Sequence, residues 1–94
     1  MRRKQRHRNK IEVVYEILRH CEHPIAPSTM IQYANVSSRR RREYIRELCE
    51  LGLIKRVPRH EGSNARYMLL ITEKGNQVRG LLEEICNLLG GRFF

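Results

Sequence analysis

Four consecutive arginines, Arg39 to Arg42, are the most chemically committed residues in this chain of 94. A guanidinium stays charged at any physiological pH, and its planar fork of N–H donors matches a phosphate or a guanine edge. A second group of cations (Arg2, Arg3, Lys4, Arg6, Arg8 and Lys10) lies in the first ten residues, which hold no acid. Across the chain 19 Lys and Arg face 10 acids, all of them Glu, for a net charge of +9 and a pI near 10.2. Clusters of this kind attract a polyanion through phosphate contact and counterion release.

Other chemistry finds little footing. Asp is absent, no Gly-rich phosphate loop is visible, and no Ser or Cys has a recognisable partner motif. A metal-dependent nuclease would have to rely on Glu alone. The sequence therefore reads as a non-enzyme that needs no cofactor and no small-molecule ligand. His20, Cys21 and His23 lie close together, but one such group supplies no second ligand pair at zinc spacing. The three cysteines, Cys21, Cys49 and Cys86, are odd in number and lack a CxxC, which suits a reducing compartment. Cys21 and Cys49 fall on apolar helical faces and read as small buried hydrophobes. No run approaches a membrane span, and the basic N-terminus has no apolar stretch behind it, so a soluble intracellular protein is expected.

The elements that must position the arginines follow from periodicity and punctuation. Residues 1–8 read as a basic flexible arm, and Asn9 as the cap of a first helix carrying Ile11, Val14, Ile17, Leu18 and Cys21 at three- and four-residue spacing. Pro24 and Pro27 break the chain, with room for a very short strand at Ile25. A second helix fits 28–34 and a third 37–51, separated only by Asn35-Val36-Ser37, so the two meet at a sharp angle as in a helix-turn-helix. Two β-rich runs, 53–57 and 66–71, enclose a polar tip containing Gly62 and Asn64, which predicts a hairpin. Thr72 caps a last helix over 73–89, with Val78, Leu81, Ile85 and Leu88 at heptad spacing and Leu82 and Leu89 widening the stripe. The predicted class is mainly α with a small β-hairpin (α+β).

On the third helix, position 41 shares the inward stripe with Ile45 and Leu48. Arg39, Arg42 and Arg46 lie opposite, Arg40 lies to one side, and Arg41 is expected to snorkel from the edge of the core. Glu43, Glu47 and Glu50 interleave with them, and pairs within the helix are expected. Arginines at a helix start oppose the macrodipole, a local conflict that a bound anion would remove. In the hairpin, Arg59, His60 and Arg66 stand where a phosphate backbone would be met.

The segments Met30 to Leu48, Leu51 to Ile54 and Tyr67 to Gly75 resemble the small archaeal winged helix-turn-helix DNA-binding proteins, some of them viral. The resemblance covers about residues 9 to 89. It implies three helices, a wing, and a C-terminal helix that dimerises as an antiparallel coiled coil. By that resemblance Ser38 to Arg42 open the recognition helix, Arg59 to Arg66 form the wing, and Val78, Leu81, Leu82, Ile85, Leu88 and Leu89 form the dimer interface. Arg41 departs from the family, which is often apolar there, and the last helix is short, with Gly80 inside it.

The resulting expectation is a winged helix-turn-helix domain over 9–71, a dimerisation helix over 72–89 and a tail over 90–94. The partner expected is double-stranded DNA, bound by Arg39, Arg40, Arg42, Arg46, Ser38, the wing residues and the arm. A homodimeric transcription regulator in the cytoplasm, on the nucleoid or in a viral host, is the leading reading. A low-specificity chromatin protein and a protein-interaction module stay open beside it.

Overall fold

The computed structural model describes residues 10–34, 37–59 and 61–91. The basic arm, Asn9, Asn35, Val36, His60 and the two terminal phenylalanines lie outside the described residues. The element order is α1 (Lys10–His20), α2 (Pro27–Ala34), α3 (Ser38–Glu50), β1 (Ile54–Val57), β2 (Met68–Ile71) and α4 (Glu73–Leu88). Four helices and one two-stranded antiparallel hairpin are therefore present among the described residues.

The helices bury the stripes their periodicity demands. In α1, Val13, Ile17 and Leu18 are buried, and Cys21 follows them into the core, whereas Ile11 in the first turn is half-exposed. Pro27 opens α2, a position where its missing N–H leaves nothing unsatisfied. Ser37 caps α3, its Oγ accepting from the Arg40 N–H at 3.3 Å. Tyr44, Ile45 and Leu48 turn inward, and Cys49 packs half-buried beside them. Gly52 then reverses the chain at φ 78°, in the left-handed region that favours glycine.

The hairpin pairs Ile54 with Ile71 and Val57 with Met68. β2 starts two residues later than the sequence pattern suggests, because Pro58, opposite Tyr67 in this register, has no N–H with which to continue the ladder. The segment between α1 and α2 flanks the other edge of β2. Ile25 and Leu69 exchange two backbone hydrogen bonds of 3.0 and 2.8 Å, and the Ile71 N–H donates to the Cys21 carbonyl at 2.8 Å. The short strand anticipated at Ile25 thus exists as a single bridge, and Leu69 between its two neighbours is fully buried.

Thr72 joins the hairpin to α4. Its Oγ1 accepts from the Gly75 N–H at 3.0 Å and donates to the Gly52 carbonyl, while its own N–H donates to the Leu53 carbonyl at 3.0 Å. Lys74 Nζ donates to the Leu51 carbonyl at 2.8 Å. Gly75 is buried in this junction. A Cβ there would fall inside contact distance of the Leu53 carbonyl oxygen and 2.7 Å from Ile71 Cγ1, so only glycine lets the helix approach Leu53 and the end of β2 this closely. Beyond the junction α4 lies against α1, where the Tyr15 hydroxyl donates to Glu83 at 3.1 Å.

Candidate nucleic-acid interface

The helix phase set by Ser37 distributes the arginines of α3 around its surface. Arg39, Arg42 and Arg46 are exposed. They do not stand alone. With Arg41 of the same helix and Arg56 and Tyr67 of the hairpin they line one open crevice of about 570 Å³. Ile45 and Pro27 add apolar surface to it, and Glu43 is the one carboxylate in that lining among the described residues. Five guanidiniums therefore share a cleft between a helix and a wing, with one opposing charge.

Arg41 occupies the place its phase requires, one turn before the buried Ile45. Its side chain is partly buried, and its Nε is sealed from solvent with no hydrogen-bond partner among the described residues. Arg56 lies over the Tyr67 ring, 5.1 Å from the centroid. Hydrogen bonding to Tyr67 is the main cause raising the Arg56 pKa above its already high ordinary value, so its charge is permanent.

Arg40 points elsewhere. It stacks over Tyr44 at 5.9 Å and lines a smaller depression with Lys10 and Glu47. Glu47 itself reaches across to Lys10 of α1 at 3.3 Å, an interhelical pair where the spacing in the sequence had suggested pairing within α3. Such an exposed bridge contributes little to stability. In the hairpin, Arg59 is exposed and donates to the Ser63 carbonyl at 2.7 Å, which braces the loop that carries it. Arg66 is exposed at the end of the same loop. Ser38 is the first residue of α3.

The six apolar positions assigned to α4 divide in two. Val78 packs against the core of its own chain and Leu82 is half-buried. Leu81, Ile85, Leu88 and Leu89 stay open, at 59, 46, 85 and 41% exposure. Cys86 is half-buried next to them.

The titratable groups of the interior are structural. Burial pushes the Cys21 thiol up to about 12, with the neighbouring Cys49 adding to the effect. Burial, then the hydrogen bond to Glu83, raises Tyr15. No group of three or more His, Cys or acidic side chains positioned to hold a metal ion occurs among the described residues. No helix among them is long and apolar enough to cross a membrane.

Arg56 and Tyr67 of this crevice were not singled out in the sequence, and Arg41 was assigned there to the edge of the core. The signal for Arg41 was present, since an arginine on an apolar stripe demands some polar destination. For Arg56 the signal was a cation in a short β-rich run, where Lys55 and Arg56 are both exposed between buried Ile54 and half-buried Val57.

Three helices, a β-hairpin and a capped fourth helix in this order define a winged helix-turn-helix protein, and the family model of that description matches residues 7–90; the chain belongs to this family. Among solved structures it is similar to Sso10a-2, a DNA-binding protein from Sulfolobus solfataricus. The two share 26% identity and superpose with a TM-score of 0.73, over 88% of this chain and 83% of that one. The comparison with curated proteins gave no match.

Proposed function

We propose that this protein binds double-stranded DNA, with α3 in the major groove and the hairpin on the phosphate backbone. The observation that carries the reading is the convergence of Arg39, Arg42 and Arg46 with the hairpin's Arg56 on one open cleft. Membership of the winged-helix family and the likeness to a DNA-binding protein support it. Arg59, His60 and Arg66 serve the backbone, and the arm from Arg2 to Arg8 follows phosphates or enters a minor groove.

The protein acts as a homodimeric transcription regulator in this reading, with residues 9–71 as the DNA-binding unit and 72–89 as the dimerisation helix. The exposed stripe of Leu81, Ile85, Leu88 and Leu89 supports pairing with a second copy, since apolar surface at this spacing gains most by burial against its like. Two recognition helices roughly 34 Å apart then favour a pseudo-palindromic site. The cytoplasmic nucleoid is where such a protein works.

Affinity for a random-sequence duplex across a salt series tests the DNA reading. Wild-type binding should weaken steeply with salt. Arg39→Ala/Arg42→Ala should bind more weakly, with a slope of log K against log salt shallower by about 1.8, two phosphates at about 0.9 each. Failure of the wild type to bind the duplex at low salt would overturn the proposal.

A low-specificity architectural protein is the second reading, and one observation favours it. The sequence of α3, Ser38–Glu50, contains no Asn or Gln, the side chains suited to reading adenine, so base recognition would rest on arginine and guanine. Selection from a random DNA pool separates the two: a shared pseudo-palindrome supports a regulator, and no shared motif supports architecture.

A further inference from the structure

We propose that the crevice between α3 and the hairpin is a built site for one phosphate group, with Arg41 as its inner anchor and Arg56 as its outer wall. The inference rests on the DNA reading for the source of that phosphate. It adds a residue that helix phase alone assigns to the edge of the core.

The orphaned Nε of Arg41 is the first argument. Buried donors almost always find an acceptor, and the one this donor lacks within the protein is supplied by a water or by an anion in the cleft. A rotation of the guanidinium about the end of its stem would turn the Nε N–H and a terminal N–H together toward the cleft. That is the bidentate geometry that arginine offers to phosphate.

Charge is the second argument. Five guanidiniums held around one cleft repel one another, and Glu43 offsets only one of them. The apolar wall of Ile45, Pro27 and the Tyr67 ring lowers the local dielectric and strengthens both the repulsion and the pull on an incoming anion. Arg56 is already oriented by its stacking on Tyr67, so little of its freedom is lost on binding.

Size is the third. A crevice of about 570 Å³ has room for a phosphate together with the neighbouring sugar of a longer polymer, and it is open on one side, as such an attached group requires. The chemistry is that of a tetrahedral oxyanion, either a phosphodiester of the duplex or a free phosphate ester.

The test has two arms. In the first, duplex affinity is measured between 50 and 200 mM salt for wild type, Arg41→Met, Arg56→Gln and Arg19→Met. The methionine at 41 keeps an unbranched stem, and Arg19 on α1 supplies an equal loss of charge outside the crevice. Arg41→Met should flatten the log–log slope by about 0.9, so that the wild-type advantage shrinks about 3.5-fold over the fourfold salt range. Arg19→Met should leave the slope unchanged. In the second arm, inorganic phosphate should raise the wild-type unfolding temperature above that in chloride of equal ionic strength, and should do so less for Arg41→Met and Arg56→Gln. Circular dichroism checks the fold, and Arg56→Gln reads the same site should Arg41→Met not fold.

If Arg41→Met and Arg56→Gln both keep the wild-type slope while Arg39→Ala/Arg42→Ala loses it, the inference falls and the DNA reading stands. If no duplex binds but phosphate stabilises the protein through Arg41, the site takes a free phosphate ester and the DNA reading falls. Absence of both effects overturns both.

Discussion

Gly75→Ala should destabilise this protein although alanine is the better helix former. The added methyl would press on the Leu53 carbonyl and on Ile71 Cγ1, so the start of α4 has to retreat by on the order of 1 Å. Overpacking of this kind costs about 1–3 kcal/mol. The same retreat stretches the bond from the Thr72 N–H to the Leu53 carbonyl, which contributes about 1 kcal/mol. Helix propensity returns about 1 kcal/mol. The net loss is about 1–3 kcal/mol, and at about 4–8 °C per kcal/mol it lowers the unfolding temperature by roughly 5–20 °C. Gly80→Ala is the internal control. It changes the same atoms on the same helix where nothing lies within 4 Å, and should stabilise by about 0.5–1 kcal/mol. Urea denaturation of both variants decides the matter. If both raise stability alike, propensity alone governs these positions and the packing argument at Leu53 and Ile71 is refuted.

Ile85→Glu puts a carboxylate into the exposed stripe of α4 and should give a monomer by sedimentation, with weaker DNA binding; an unchanged mass removes the dimer proposal. Ser37→Ala deletes the cap of α3 and should cost about 0.5–2 kcal/mol in urea, a loss absent if the hydroxyl is merely solvated. The raised Cys21 pKa makes stability pH-dependent in one direction. Its contribution is fully present below about 9, where the thiol of the unfolded chain is also protonated, and is lost as pH rises from there through about 12. Between pH 8 and pH 10 the wild type should lose about 1.4 kcal/mol more than Cys21→Ala; equal losses would mean that the thiol meets solvent. Tyr15 acts in the same direction and is common to both proteins.

What could be read from the sequence was what neighbours along the chain decide. Ser37 and Thr72 are legible as caps because a hydroxyl needs only the next turn's N–H groups. The inward phase of Ile45 and Leu48 follows from period alone. What escaped depends on the angle between elements. Arg41 and Arg56 are separated by 15 positions in the chain, and only the packing of α3 on the hairpin makes them share a cleft. Val78 and Leu81 show the same limit, since an apolar stripe does not reveal what covers it. The first meets its own core and the second stays open. Ile25 was legible as extended, flanked by Pro24 and Pro27, but its partner at Leu69 lies too far along the chain for any local rule.

That pairing has a consequence for how the chain is born. Synthesis delivers α1, α2 and α3 first, yet the carbonyls of Cys21 and Ile25 wait for hydrogen bonds from β2, and Leu69 fills the centre of the core. A nascent chain that ends before residue 68 holds three helices around a vacancy, with backbone groups unpaired along the loop. Folding on the ribosome is therefore deferred until the hairpin has emerged, and the arginine helix becomes properly seated in the same cooperative event that builds the wing. A truncated product carries its cations on an unfinished scaffold.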